Sequence, residues 1–490
     1  MRSDLILNVR PHETRLAILE DGNLVELHLE RRLERSLVGN IYRGRILKVL
    51  PGMQAAFVDI GLEKAGFLYV SDVIPHLWEN EFDLEIEPKG YYIEDMLQQG
   101  QEVLVQVMRD PIGTKGPRLS TRISIPGHYL VLMPFFDHIG VSRRIEDEIE
   151  RKRLKGIVEE IKPKGLGFII RTASVGVDAD KLSFEMQKLI KFWQGILEKK
   201  DSVPAAGLVY KELDLCLRAV RDFFARHTRS VIIDSPKAYH RVLSYVKEFI
   251  PHLCHSIELY QGGVPIFEKF SIEEAFNKAL QSKIWLKSGG YIIIEITEAL
   301  VTIDVNTGHF VGGDNFEETI LKTNLEAVQE IAHQLRLRDL GGIIIIDFID
   351  MQKEQNRQKV IAALEEVLKR DRSKTQILQM SKLGLVEMTR KRKREDLIHY
   401  LCEPCPYCQG RGFLKSKRTI FYEILDELEK VASRTISSKL AVKVHPDLAR
   451  HIREREFSIY ELFEKEIGKK LEIISDPNLH LESYEILENF

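Results

Sequence analysis

Two short stretches of this 490-residue chain carry side chains spaced for chemistry. In Ala299-Leu-Val-Thr-Ile-Asp304-Val-Asn306-Thr-Gly308, period-two alternation sends Val301, Ile303 and Val305 to one face and Thr302, Asp304 and Asn306 to the other. An acid and an amide then share a face at the carboxyl end of a predicted strand. In Ile343-Ile-Ile-Ile-Asp347-Phe-Ile-Asp350 a second acid emerges at the same end of a neighbouring strand. Ligands of open α/β sheets bind in the crevice beyond those ends. Carboxylates from two strands suit Mg²⁺, which takes oxygen ligands and keeps several waters. Such an ion activates water and stabilises charge on a phosphodiester, and Asn306 is placed to hold the scissile phosphate. The competing reading makes Asp304 and Asp347 loop caps or partners of strand-end cations. It is the stronger one for a lone aspartate, and two on adjacent strands bring the readings nearer to parity.

The cysteines divide into Cys402, Cys405 and Cys408, with Cys216 and Cys254 isolated. Cys405-Pro-Tyr-Cys408-Gln-Gly410-Arg-Gly412 has the shape of a zinc knuckle, two thiolates with glycines that allow a tight turn. Structural zinc takes four ligands, so the motif supplies half a site. Two copies of Cys405 and Cys408 from two chains give Cys₄ directly. A one-chain site would draw on His399 or Cys402 and a loop folded tightly on itself. The C-x-x-C-x-x-C spacing is also the opening of an iron–sulfur pattern, whose fourth thiolate has no candidate in the expected context.

Three further features bear on nucleic acid. Phe57 and Phe67 lie in separate predicted strands and Lys115 in the cationic loop IGTKGPR. Exposed aromatics beside cations form the stacking-plus-phosphate platform of single-strand binders; the alternative is that both rings are core. Arg171 and Thr172 end the strand GLGFIIRT, where they could grip a terminal phosphate. Thr389-Arg-Lys-Arg-Lys-Arg394 holds five consecutive cations, either a solvated helix face or a phosphate-neutralising strip.

These residues need a frame. The chain is 44% hydrophobic and 30% charged, with net charge −3, so overall charge favours no class of partner. Its length implies three or more domains. The start has no apolar signal region, and no apolar run approaches the roughly 20 residues of a membrane helix. Five cysteines make no disulfide framework, and a reducing cytoplasm is the expectation. Residues 4–10 and 14–30 read as strands with a hairpin at Asp21-Gly22. Short apolar segments punctuated by glycine, from Val38 to about Ser124, read as a small antiparallel barrel interrupted by an acidic insertion near 75–97. Helical periodicity dominates 181–228 and 236–250. From Gly289 to about Arg370, strands YIIIEIT and ALVTIDV precede a helix opened by a capping box at Asn315-Phe-Glu-Glu318 and ended near Leu340. The strand GGIIIIDFID, read as buried, follows. Strand, helix, strand implies a crossover with the two strands parallel. A helix over 354–369 comes next, and 415–490 form a small mixed tail domain.

The stretch TIDVNTGHFVGGDNFEETILKTNLEAVQEIAHQLRLRDLGGIIIIDFIDM, residues 302–351, closely resembles the catalytic core of the ribonuclease E/G family. The likeness extends back through FIIRTASVG, SRRIE and GHYLVLMP to GNIYRGRILKVLPGMQAAFVDIG, and forward through GLVEMTRKR to the cysteine motif. It covers essentially the whole chain and lies closer to the family's short form, which lacks a disordered scaffold tail.

The resemblance implies a Mg²⁺-dependent, single-strand-specific endoribonuclease stimulated by a 5′-monophosphate. It would leave 5′-monophosphate and 3′-hydroxyl ends and act in ribosomal-RNA processing and messenger decay. Asp304 and Asp347 match metal-binding aspartates and Asn306 a phosphate-contacting asparagine. Phe57, Phe67 and Lys115 match RNA-contacting positions of an S1-type OB barrel. Gly127, Val131, Arg171 and Thr172 match the 5′-monophosphate pocket, in which Lys374 stands where an arginine is also found, keeping the charge and losing the bidentate fork. Zn²⁺ shared by Cys405 and Cys408 of two subunits implies a homodimer, with pairing into tetramers open. The implied fold is multidomain α+β. An RNase H-like domain is split between 1–37 and 217–280, around an inserted S1-type OB barrel (38–124) and a 5′-sensor region (125–216). A DNase I-like α/β catalytic domain (281–400), a zinc link (401–414) and a small dimerisation domain (415–490) follow. The class set against this is a non-catalytic RNA-binding scaffold with a structural zinc, in which the acids only stabilise the fold.

Overall fold

The structure, a computed structural model, describes residues 2–73, 91–111, 115–224, 227–308, 316–378, 380, 381, 384–392 and 394–488. The chain divides into two compact units, Met1–Leu397 and Ile398–Phe490.

In the larger unit, Ser3–Val9, Glu13–Glu20 and Asn23–Arg31 form an antiparallel meander. Asp21 and Gly22 turn its second hairpin with φ of +48° and +84°, the two left-handed residues of a type I′ turn. Ser3–Val9 also pairs in parallel with Thr228–Ile233, which pairs in parallel with Ile257–Leu259. The result is a five-stranded sheet assembled from segments far apart in sequence.

Ile41–Leu50, Ala55–Asp59, Gly66–Tyr69, Arg118–Ser120 and Glu102–Arg109 close into a five-stranded barrel, because Ile41–Leu50 pairs with Glu102–Arg109 as well as with Ala55–Asp59. The barrel is not wholly antiparallel as expected: Gly66–Tyr69 and Arg118–Ser120 run parallel. Of the acidic insertion, residues 74–90 lie outside the described residues, and Ile93–Met96 form one helical turn.

The helical reading of 181–228 holds for Ala179–Ser202 and again for Leu215–Arg218 and Ala219–Phe223, and fails between Ser202 and Leu215. Val203 ends the helix, and Gly207–Tyr210 leaves it to pair with the first barrel strand. The helix lies against a four-stranded sheet whose strands are Ile139–Val141, Gly167–Ile170, Leu130–Met133 and Ile125–Pro126 in spatial order.

The sheet that concerns function has six strands: Lys283–Trp285, Tyr291–Ile296, Leu300–Asn306, Gly342–Asp347, Leu385–Arg390 and Thr375–Ile377 in spatial order. Its single parallel pair is Leu300–Asn306 with Gly342–Asp347, joined through the helix Phe316–Leu337 as the crossover reading requires. The expected cap residue Asn315 lies outside the described residues. On this helix Ile320, Ala327, Val328, Ile331, Ala332 and Leu335 form the buried stripe that faces Val301, Ile303, Ile344 and Ile346. Each of the valine, leucine and isoleucine side chains contributes about 1.5–3 kcal/mol on burial, so the parallel pair rests on a firm base. Gly342–Asp347 is covered on one face only: Ile343 is 51% exposed. The expectation of a strand buried on both faces fails because the helices Phe316–Leu337 and Glu354–Leu368 join the same core.

Among the described residues of the basic run, Arg390, Lys391, Arg392 and Arg394, none lies on a helix face; Lys393 lies outside the described residues. Arg390 ends a strand and is buried, paired with Asp371 at 2.7 Å and Asp339 at 2.8 Å. Arg394 pairs with Asp339 at 2.7 Å, and Arg392 donates to the Gly341 carbonyl. Arg390, Arg392 and Arg394 thereby brace the end of the sheet.

In the smaller unit the strands Lys470–Ser475, Lys439–Val444 and Tyr484–Leu487 form a mixed sheet packed by the helices Lys417–Ala432 and Pro446–Arg455.

Candidate active site

Parallel pairing sets Asp304 opposite Asp347 in register, at the carboxyl ends of adjacent strands. The alternation read from the sequence holds: Val301, Ile303 and Val305 are buried, Asp304 is exposed, and Thr302 and Asn306 are half-buried. Asn306 donates from Nδ2 to Asp304 Oδ2 at 2.8 Å. With Thr307, Phe348, Ile349 and Asp350 these side chains line an open cavity of about 420 Å³.

Partial burial, and then the facing charges of Asp304 and Asp350, push the Asp347 carboxyl above the ordinary range. Among the described residues no cation pairs with any of the three acids. Facing carboxylates without a counter-charge disfavour their own ionisation, and an incoming cation relieves that strain. Two carboxylates and an amide are oxygen donors of the kind a hard, partly hydrated divalent ion takes. Among the described residues no group of three or more His, Cys, Asp or Glu side chains gathers as a ready metal cage.

Asn324, fully buried on the crossover helix, accepts from Ile349 N at 3.1 Å and donates to Ile349 O at 2.9 Å. It fixes the backbone just beyond Asp347. Glu317, in the first turn of that helix, accepts from the backbone N–H groups of Gln352 and Lys353. Gly384, at φ +80°, lets its backbone approach so closely that a Cβ would stand 3.2 Å from Asp350 Oδ1. The loop that follows Asp347 and carries Asp350 is thus held from both sides.

A second charged centre lies around Arg171. Its Nη2 meets Asp222 Oδ1 at 2.9 Å and its Nη1 donates to the Gly127 carbonyl. Thr172 Oγ1 lies 3.1 Å from Ser142 Oγ. Val131 sits in the strand between Pro126 and Ile169. The structure therefore gathers Gly127, Val131, Arg171 and Thr172 into one corner of the four-stranded sheet. Lys374 is exposed, three residues beyond Asp371, whose carbonyl accepts from Arg144; Arg144 lies two residues from Ser142.

Behind this corner stands Glu185, 2% exposed, accepting from the N–H groups of His128, Tyr129 and Leu130 at 2.6–2.8 Å. Burial raises its pKa to about 7 despite those donors. Sequence reading missed it, although its position carries a signal. Glu185 falls on the apolar stripe of its helix with Leu182, Met186, Leu189, Trp193 and Ile196, where a lone acid must find partners.

On the barrel, Phe57 and Phe67 are cross-strand partners that point outward, while Ala56, Val58 and Leu68 fill the core. Their ring centroids lie 5.6 Å apart, and Tyr69 extends the row at 4.6 Å from Phe67. Arg118 lies over the Tyr69 ring at 5.5 Å. The core alternative for the two phenylalanines is excluded. Tyr69 and Arg118 were missed, though Tyr69 follows Phe67 at strand spacing. Lys115 is exposed, and residues 112–114 of its loop lie outside the described residues.

In the smaller unit the Cys405 thiol is lowered below its ordinary range by the backbone N–H groups of Cys408 and Tyr407. Gly412 N donates to Cys408 Sγ at 3.4 Å, and Gln409, Gly410 and Gly412 all adopt positive φ. N–H groups directed at sulfur favour thiolates, the form that binds metal. Cys402 is exposed, and among the described residues neither it nor His399 completes a metal-binding group with the pair.

A sequence model of the Ribonuclease E/G family matches residues 124–393, and one described as RNase E/G, Thioredoxin-like domain, matches 404–489. The chain is 45% identical over 490 residues to Ribonuclease G of Escherichia coli K12, covering 99% of this chain and 100% of that protein. It is 44% identical to Ribonuclease G of Haemophilus influenzae over 485 residues, 99% of each. To Ribonuclease E of Haemophilus influenzae it is 36% identical over 485 residues, 99% of this chain and 51% of the other. With a family-model match over more than half its length and full-length relatives at this identity, the chain belongs to the ribonuclease E/G family.

Proposed function

We propose that this endoribonuclease of RNA processing and decay cleaves single-stranded RNA at the crevice between Asp304 and Asp347, with Mg²⁺ held by those two carboxylates. The observation that carries the reading is the in-register opposition of the two acids with no cation beside them among the described residues. When bound, the ion supplies activation of water and neutralisation of phosphate charge. The chain's own residues position the substrate. Asn306 uses one amide hydrogen on Asp304, which orients the amide and leaves the second for a phosphate oxygen. Attack of water at phosphorus with departure of the 3′-oxygen leaves 5′-monophosphate and 3′-hydroxyl ends.

Phe57, Phe67 and Tyr69 would stack bases while Lys115 and Arg118 neutralise phosphates. Arg171 and Thr172, with Gly127, Val131 and Lys374, would receive a 5′-monophosphate, the guanidinium giving paired donors to its oxygens. Cys405 and Cys408 would share Zn²⁺ with the same pair of a second copy, a closed Cys₄ set that joins two subunits. Ribosomal-RNA precursors and messenger RNA are the proposed substrates, in the cytoplasm.

The test is cleavage of an unstructured RNA with and without Mg²⁺, with product ends mapped. Cleavage that needs the ion and leaves 5′-monophosphates is expected; metal-independent cleavage, or 3′-phosphate products, would overturn the assignment.

A further inference from the structure

A groove of about 580 Å³ runs along the helix Ala179–Ser202 on a side the reading above does not use. Lys188, Phe192, Gly195 and Lys199 recur at intervals of four, three and four residues, so they share one helix face over about 16 Å of axis. Lys191 stands beside them. The opposite wall is Tyr210 and Lys211, at the end of the strand Gly207–Tyr210, with Glu248 and Phe249 from the helix Pro236–Phe249.

The charge is one-sided. Lys188 has Glu248 at 3.8 Å. Lys191, Lys199 and Lys211 are exposed, and among the described residues none has an ion pair or side-chain hydrogen bond. Between the lysines stand half-buried rings: Phe192 meets Tyr210 edge to face at 5.2 Å, and Phe249 stacks on Tyr245 at 4.7 Å. Gly195 leaves the floor open, with no atom within 4 Å of where a Cβ would stand.

We propose that this groove is a second binding site for single-stranded RNA, separate from the barrel platform, the Arg171 corner and the Asp304–Asp347 crevice. Unpaired ammonium groups suit a run of phosphates, and half-exposed rings between them suit bases. An acidic peptide would match the lysines but leave the rings without a flat partner. The volume falls within the roughly 300–1,000 Å³ of small-ligand sites, enough for a base with its sugar. The proposal rests on the ribonuclease reading only in naming RNA as the polymer. A substrate seated here and in the crevice would be held at two points, raising its effective concentration at the acids.

The test measures binding of an unstructured RNA with a 5′-hydroxyl end to the full chain carrying Asp304→Asn, across a range of salt. The 5′-hydroxyl keeps the Arg171 corner out of the measurement. Replacing Lys191, Lys199 and Lys211 together by glutamine touches only exposed side chains. Three lost phosphate contacts should make the log–log salt slope shallower by about 2, at about 0.7 per contact on a single strand. A change smaller than about 1 overturns the proposal. In a second variant, Gly195→Trp fills the floor and keeps the charge, and weaker binding with an unchanged slope is expected; unchanged affinity overturns the groove as a base site. Poly-glutamate is the third arm. If the lysine variant loses affinity for it but not for RNA, the occupant is an acidic protein and the proposal fails. Binding is read without cleavage, so failure of the active-site assignment and failure of this site remain distinct.

Discussion

At the crevice, Asp304, Asp347 and Asp350 face one another without a cation among the described residues, and partial burial followed by their mutual repulsion raises the Asp347 pKa. Around Arg171 the charges of Asp222, Arg221, Glu212 and Glu185 all have partners. Burial alone would raise Asp222, yet the guanidinium groups of Arg221 and Arg171 more than reverse it and hold its pKa below the ordinary range. Arg221 is raised in turn by Asp222 and Glu212, against its burial. Glu185 completes the corner with three backbone donors. One centre is left short of positive charge, and the other is satisfied internally. A balanced buried network fixes geometry, since breaking one partner leaves an uncompensated charge and costs about 3–5 kcal/mol. A centre short of charge is poised to accept it from a ligand. On the proposed function, fixed geometry around Arg171 and unmet demand at Asp304 and Asp347 would serve the two ends of one substrate.

The contrast breaks first at Asp304. Asp304→Asn keeps the shape and removes one of the two charges, and kcat should fall more than about 100-fold, since even outer-shell partners of metal ligands carry about 10–100-fold. RNA affinity should change little, and cleavage within a few-fold of wild type would show that the acids are structural. Next is Asn324→Ala, which releases the backbone at Ile349. We expect about 10–100-fold in kcat, together with about 1–3 kcal/mol of stability from the orphaned backbone groups, read by single-turnover kinetics and denaturant unfolding. A stability loss with kcat intact would mean that the turn beyond Asp347 need not be fixed.

The Arg171 corner is probed by the ratio of cleavage rates for RNAs with 5′-monophosphate and 5′-hydroxyl ends. Arg171→Ala should bring that ratio to parity, and a ratio equal to wild type would remove Arg171 from the pocket. The smallest effect is the pH response of Glu185. An unfolded glutamate ionises near 4.5, whereas the folded one keeps its proton to about 7. Unfolding therefore releases a proton between these values. The contribution is fully present below 4.5 and declines as pH rises through 7, by at most about 1.4 kcal/mol per pH unit. Glu185→Gln should flatten that part of the stability–pH curve; an unchanged curve would show that Glu185 ionises normally in the folded protein.

What could be read in advance follows from how local each signal is. Leu300–Asn306 alternates at period two, so the outward placement of Asp304 and Asn306 needed no tertiary knowledge, and a single intervening helix made parallel pairing with Gly342–Asp347 the natural outcome. The pairing of Ser3–Val9 with Thr228–Ile233 leaves no such local trace, because neither segment encodes its partner. Gly207–Tyr210 was lost inside a helical stretch for the same reason: its strand character comes from the barrel edge that receives it. Tyr69 and Glu185 are different: Tyr69 stood at strand spacing from Phe67, which was singled out, and Glu185 stood on the apolar stripe of its own helix. The basic run misled because charge sequence carries no record of Asp339 and Asp371, the partners that absorb Arg390.

The parallel pairing of Ser3–Val9 with Thr228–Ile233 also sets a clock on biosynthesis. The first strand leaves the ribosome on the order of ten seconds or more before its partner, at about 5–20 residues per second. During that interval the nascent meander offers an unpaired edge built of Leu5, Ile6 and Leu7, all fully buried once the sheet is complete. Open edges of this kind recruit other chains. Translation rate through the intervening segments, and chaperone cover of the waiting hairpins, then bear on soluble yield alongside native stability.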